Sequence, residues 1–282
     1  MNIVILCKSW NHKKVIEIVQ ALHAQELRVR GIIALAATPP RINLAQAVRK
    51  AHEHGLAHIM LAHFFSNNFD RHDHPHEFVA VNGVHPTHSR NGQWQIEKNH
   101  LSQPTIAEYA RRQQIEMVSV RDLNSIACAN ALQQMRTDIL LFGGVPIIRG
   151  NILTVPKICT LNVHMALLPE FRGMNVAEWS IFTGAPVGVT VHQVDSGVDT
   201  GAILYRETIN VANCNSIAAM RARVSRQQHL VLAKCARLLV EKKLTLTPQQ
   251  KAGGKQYYLM HEKLRKIVER RLAKGYQSNM DC

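Results

Sequence analysis

Apolar residues fall along this chain in two alternating rhythms. "NIVILC", Asn2–Cys7, is a compact β-branched run, and behind it Val15, Ile16, Ile18, Val19 and Leu22 recur at helical spacing. "LRVRGIIALA", Leu27–Ala36, predicts a second strand, and strand, helix, strand in this order is how a parallel sheet begins. "NLAQAVRKAHEHG", Asn43–Gly55, predicts a helix with a capping Asn and a Gly stop. Beyond residue 100 the pattern predicts a helix over Thr105–Gln114, a strand at "IEMVSV", a helix from Ser125, and a buried strand within Thr137–Ile148 that breaks at Gly143 and Gly144. "CTLNVH", Cys159–His164, is the next strand. It is followed by a helix ending at Gly184, a strand over Val187–Val194, another at "AILYRETI", and a long helix from Ser216 to about Leu239. The order implies an α/β fold: an open, mostly parallel twisted sheet with helices on both faces.

Charge changes the picture only at the end of the chain. Of the net charge of +14, the residues from Arg221 onward carry 15 Lys and Arg against 4 Asp and Glu. Pro248, Gly253 and Gly254 loosen this region, and "YYLMHEKLRKIVERRLAK" then predicts a basic amphipathic helix. We therefore divide the chain into a domain over 1–240 and a basic helical extension over 241–282. That charge is either a solvated helix face or an attraction for a phosphate-bearing partner. No apolar run is long enough for a membrane span, and the apolar stretch at the N-terminus precedes its basic residues, the reverse of a secretory signal. The expectation is a soluble, cytoplasmic protein without a membrane partner. Six scattered cysteines with no CxxC pair argue against a zinc site and against a disulfide framework.

The stretch 58–100 breaks the rhythm. Ten of the sixteen histidines lie between His52 and His100, and "RHDHPHEF" sets His72, Asp73, His74 and His76 close together. These are metal-ligand types, with His85 and His88 as further candidates. Pro75 interrupts the extended strand that alternating ligands would need, and no second cluster with ligand spacing closes the shell. A polar surface insertion is the expectation, and no metal is assigned.

Chemistry concentrates further on. In open parallel sheets ligands bind outside the carboxyl ends of strands. Asn162 and His164 end one predicted strand with both side chains on one side, and His192, Asp195 and Asp199 stand at and beyond the end of another. An amide, an imidazole and a carboxylate converging there suit attack on a carbonyl: Asn donates to the developing oxyanion, His carries a proton near neutrality, and Asp sets its protonation. The same residues also serve as turn formers and satisfied half-buried polar groups. No GxSxG, Walker loop or dinucleotide glycine pattern is present.

"LNVHMALLPEFRG" followed by "HQVDSGVDTG" strongly resembles the folate-dependent formyltransferases, which carry Asn-x-His, Leu-Leu-Pro with a following Arg-Gly or Lys-Gly, and then an Asp-Thr-Gly loop. The resemblance covers about Thr137 to Ile209, more loosely the sheet from Met1, and implies a Rossmann-like core. It implies transfer of a formyl group from 10-formyltetrahydrofolate to a primary amine without a metal. Asn162 and His164 would be the polarising and proton-handling pair, and Asp199 the carboxylate that orients His164 or a water. Val145, Ile147 and Ile148, with Ala166, Leu167, Leu168 and Pro169, would line the folate pocket. Arg172 could meet an acceptor phosphate or the folate tail, His192 is a substrate contact or a structural hydrogen-bonding residue, and Asp195 is a turn former.

Three departures from the family pattern matter, the first for the folate contact and the other two for the acceptor. Ala166 stands where the family often has Ser. "CKSWNHKK" lacks the Gly- and Ser-rich phosphate loop of the purine-pathway members. Only about forty residues follow Leu239, where the methionyl-tRNA members add a C-terminal barrel. By elimination the expected acceptor is a small metabolite amine such as an amino sugar nucleotide, with phosphoribosylglycinamide or methionyl-tRNA as the alternative. From a different class stands a non-catalytic anion- or nucleic-acid-binding protein on the same core.

Overall fold

A computed structural model describes residues 1–9, 12–36, 104–250 and 254–278, and the backbone of 84–88 and 94–98. The helix expected over Asn43–Gly55 and the cluster His72, Asp73, His74 and His76 lie outside these residues.

A seven-stranded sheet runs in the order β10-β9-β7-β6-β1-β2-β5. Its strands are β1 (Ile3–Lys8), β2 (Val29–Leu35), β5 (Glu116–Val120), β6 (Ile139–Phe142), β7 (Cys159–His164), β9 (Gly188–Gln193) and β10 (Ile203–Thr208). The intervening β3 (Val84–His88) and β4 (Trp94–Lys98) pair antiparallel as a separate ribbon within the His-rich stretch, with His85 and His88 on β3. β5, β2, β1, β6 and β7 run parallel to one another, whereas β9 runs antiparallel to both β7 and β10.

The period of two along each strand builds two cores. On one face Ile3, Ile5 and Cys7 of β1, Leu161 and Val163 of β7, and Val189 and Val191 of β9 pack under α1 (His12–Ala24), α2 (Ile106–Arg112) and α6 (Ile217–Val240). On the other, Val4, Leu6 and Leu140 pack under α3 (Ile126–Gln134) and α4 (Gly150–Leu153). Each such side chain contributes about 1.5–3 kcal/mol by leaving water. Ser125 and Ser216 cap α3 and α6 through their side-chain oxygens. The polar partners in the alternation, Thr160, Asn162 and His164 on β7 and Thr190 and His192 on β9, fall on the second face, beyond the helices that cover its centre.

The segment after Leu239 packs against the rest of the chain. β11 (Lys255–Tyr257) pairs in parallel with β8 (Phe171–Gly173), directly after Leu-Leu-Pro. Thr247 exchanges two 2.8 Å main-chain hydrogen bonds with Ile203 at the start of β10. α7 (Glu262–Ala273) buries Val268 and Leu272, and its Arg271 donates to the Ile181 and Phe182 carbonyls of α5 (Val176–Thr183). Two glycines permit this seam. Gly173 has a φ of +98° and Gly254 of +82°, and a side chain on either would collide with the carbonyl of Tyr257 or of Pro169.

Candidate active site

Cross-strand pairing, not strand ends, assembles the polar group. In the β7–β9 register Asn162 stands opposite His192 and His164 opposite Thr190, so four polar side chains share one patch of sheet. Because β9 is antiparallel to β7, its carboxyl end lies beside the amino half of β7. This corrects the expectation of a site beyond the carboxyl ends of both strands. The loop after β9 must fold back across the sheet face to deliver Asp199, which adopts a left-handed φ of +53° there. Asp195 accepts hydrogen bonds from the Gly197 amide and the Thr200 hydroxyl, as a turn former does.

The Asp199 carboxylate sits between two imidazoles. Its Oδ2 is 3.5 Å from His164 Nδ1 and its Oδ1 is 3.6 Å from His192 Nε2, and the Gly173 amide donates to Oδ2 at 3.0 Å. His164 Nε2 lies 2.8 Å from the Phe171 carbonyl. A carbonyl can only accept, so Nε2 carries a hydrogen, and the exchangeable position on this ring is Nδ1, facing Asp199.

His192 is built differently. Its Nδ1 donates to the Gln193 carbonyl at 2.8 Å, and its Nε2 is 3.4 Å from Asn162 Nδ2. Burial lowers its pKa below the ordinary imidazole range, outweighing the pull of Asp199, and His164 adds to the lowering. A neutral ring protonated at Nδ1 presents a lone pair at Nε2. It therefore accepts one of the two Asn162 amide hydrogens and orients the other. With 2% exposure His192 has little surface to offer a substrate, and its contacts are those of a group that holds Asn162.

The other expected residues separate into two sets. Ala166, Leu168 and Ile148 are buried, and the Thr190 hydroxyl ties the first two together, donating to the Ala166 carbonyl at 2.7 Å and accepting from the Leu168 amide at 3.0 Å. Those main-chain groups are engaged within the protein. Val145, Leu167 and Pro169 are half-buried, and Ile147 is 62% exposed just after β6. Arg172 donates to the Gly254 carbonyl at 3.2 Å, a contact with the C-terminal segment.

Lys8 went unnoticed in the sequence, where a lysine closing an apolar run reads as a surface charge. It is 6% exposed at the carboxyl end of β1. Its pKa is pushed down to about 8 by burial and by neighbouring Lys14. The strand order switches direction at β1 and β6, where α/β sheets open a crevice. Among the described residues no three His, Cys, Asp or Glu side chains group as metal ligands. The five described cysteines are buried free thiols, with burial pushing Cys7 and Cys235 up to about 12.

The fold is a mixed α/β sheet with Asn-x-His on one strand and an Asp-bearing loop folded over it. The formyl transferase family model matches residues 60–236, and the chain belongs to that family. Similar proteins include the methionyl-tRNA formyltransferase of Nitrosospira multiformis, 30% identical over 120 residues, 42% of this chain and 38% of that one. That of Deinococcus radiodurans is 33% identical over 104 residues, 36% and 31% of the two chains. The chain thus spans well under half the length of these relatives. Among solved structures, a glycinamide ribonucleotide transformylase from Symbiobacterium toebii shares the fold with a TM-score of 0.54 at 18% identity, covering 89% of this chain and 94% of that one. A sugar N-formyltransferase from Shewanella sp. gives 0.53 at 15%, covering 97% and 87%.

Proposed function

We propose that this protein transfers a formyl group from 10-formyltetrahydrofolate to a primary amine, using Asn162, His164 and Asp199. The observation that carries this reading is the convergence of an amide with one uncommitted hydrogen, an imidazole and a carboxylate on one patch of sheet. When bound, the folate supplies the formyl group on its N10. Val145, Ile147, Leu167 and Pro169 would hold it. The exposed Ile147 beside half-buried Val145 is the kind of apolar wall a flat heteroaromatic ring covers.

Asn162 donates its remaining amide hydrogen to the formyl oxygen as negative charge develops there. The His164 ring cannot share that oxygen while Nε2 serves the Phe171 carbonyl. Asn162 therefore polarises the formyl group, and His164 moves protons at Nδ1. The bond between the amine nitrogen and the formyl carbon forms, and the carbon–N10 bond breaks. The amine loses one proton and N10 gains one, with the His164 Nδ1–Asp199 Oδ2 pair holding the proton between these events.

For the acceptor we favour a small amine such as an amino sugar nucleotide, since residues 254–278 pack against the core instead of forming a body of their own. The second reading, methionyl-tRNA, draws on the names of the relatives and on the exposed basic face of α7. A panel of amines incubated with 10-formyltetrahydrofolate and followed by tetrahydrofolate release tests the proposal. Asn162→Ala should cut kcat on the order of a hundredfold, as loss of one oxyanion donor does, with folded protein retained. His164→Ala and Asp199→Ala should be at least as severe. Turnover with no amine in the panel, or full activity in these variants, would refute it.

A further inference from the structure

Among the described residues, Asp195 bonds within the Asp199 loop, to the Gly197 amide and the Thr200 hydroxyl, and the Gly173 amide holds one Asp199 carboxylate oxygen. A third hold comes from the C-terminal segment. Thr247 and Pro248 are exposed, and Gln249 after them is half-buried. Its side-chain amide donates to the Asp199 carbonyl at 3.0 Å and to the Gly201 carbonyl at 2.7 Å. Linking the carbonyls on either side of Thr200 pins the left-handed backbone at Asp199, and so fixes where its carboxylate points. The same C-terminal segment then reaches the other side of the site. β11 pairs with β8, the strand that supplies both the Phe171 carbonyl to His164 and the Gly173 amide to Asp199. One stretch of chain thus touches both the proton carrier's support and the carboxylate's.

We propose that Gln249 is a positioning residue, which sets the Asp199–His164 geometry from the C-terminal segment. The inference rests on the formyl-transfer reading for its kinetic consequence but not for its structural one. Misplacing a carboxylate that works through His164 lowers the rate of the chemical step while leaving the apolar folate walls and the acceptor contacts in place.

The test uses the full chain with Gln249→Met, which keeps the length of the side chain and removes both donors. Nitrogen-15 NMR of the His164 ring, assigned by loss of its signals in His164→Gln, reads the contact directly. The Nδ1 resonance should move in Gln249→Met in the direction it moves in Asp199→Asn, while Nε2, held by Phe171, stays. Kinetically, kcat should fall on the order of tenfold with KM within twofold, and Pro248→Ala on the same strap should match wild type. An unmoved Nδ1 resonance in folded Gln249→Met overturns the proposal, whatever the activity. If Gln249→Met does not fold, the uncharged Gln249→Leu, which also lacks the donors, gives the same reading. A wild-type protein inactive toward every amine would defeat the formyl-transfer reading alone, because the resonance still decides whether Gln249 positions Asp199.

Discussion

At the scale of the residue, the geometry of the candidate site depends on buried polar groups beside it. Thr190 shows this most simply. Its hydroxyl is fully buried and bridges Ala166 and Leu168, so it fixes the backbone that carries His164 into the Leu-Leu-Pro turn. Thr190→Val keeps the shape and leaves a buried amide without an acceptor and a carbonyl without a donor. The expected cost is about 2–3 kcal/mol, visible as a lower urea midpoint with an unchanged slope. That Asn162, His164 and Asp199 come together was legible in their types, order and alternation. The bond from His192 to Asn162 was not, since it depends on the antiparallel register of β9, which no local pattern encodes. Nor could the sequence show that the Phe171 carbonyl occupies His164 Nε2. That contact is made by the main chain, and any residue at 171 presents the same carbonyl.

At the scale of the element, strong periodicity was enough. β7, β10, α3 and α6 fall within a residue or two of their expected limits because each has a clean apolar rhythm and, for the helices, a serine cap. β8 and β11 were missed. Three-residue strands carry no period, and "KQY" is polar enough to read as the approach to a helix. The packing of α1 on α6 holds a testable charge. His229 on α6 is 3% exposed, with Nδ1 3.0 Å from Glu17 on α1 and, among the described residues, no partner at Nε2. Glu17 is partly solvated and Lys13 and Lys14 oppose a positive ring. Burial therefore prevails and pushes the His229 pKa down to about 4 from 6.5. A neutral ring donating Nδ1–H to Glu17 satisfies these contacts. As pH falls below the unfolded value of 6.5, the unfolded chain takes up a proton that the folded chain refuses until about pH 4. Stability is therefore whole above that window and declines through it, by about 3 kcal/mol at most from this group. Urea unfolding at pH 7 and pH 4.5 should show a smaller loss in His229→Leu than in wild type. Equal losses would mean that the ring is charged in the folded protein.

At the scale of the whole molecule, the question is what the basic end of the chain does. The sequence suggested a basic helical extension over 241–282, and in the structure one side of its helix packs on the core. Val268 and Leu272 of α7 face inward, Arg271 is spent on the carbonyls that end α5, and Lys263, Lys266, Arg270 and Lys274 remain exposed. The Lys266–Glu262 pair, 3.7 Å apart and open to water, neutralises little of this face. If the acceptor is a small amine, that face is solvation and the chemistry is indifferent to it. The triple variant Lys263→Glu, Lys266→Glu, Arg270→Glu should then keep turnover with the preferred small amine within twofold, because none of the three residues lies in the site. An RNA acceptor predicts otherwise. Each phosphate neutralised by this face would release counterions, so wild-type activity on RNA would fall steeply as salt rises. The triple variant would lose both the activity and the slope. Measuring turnover against salt in the two proteins, with amine and RNA acceptors side by side, separates the readings even if both acceptors show some activity. The acceptor whose rate responds to the charge of α7 is the one that α7 touches, and a small amine whose rate collapsed with the charge reversal would overturn our choice.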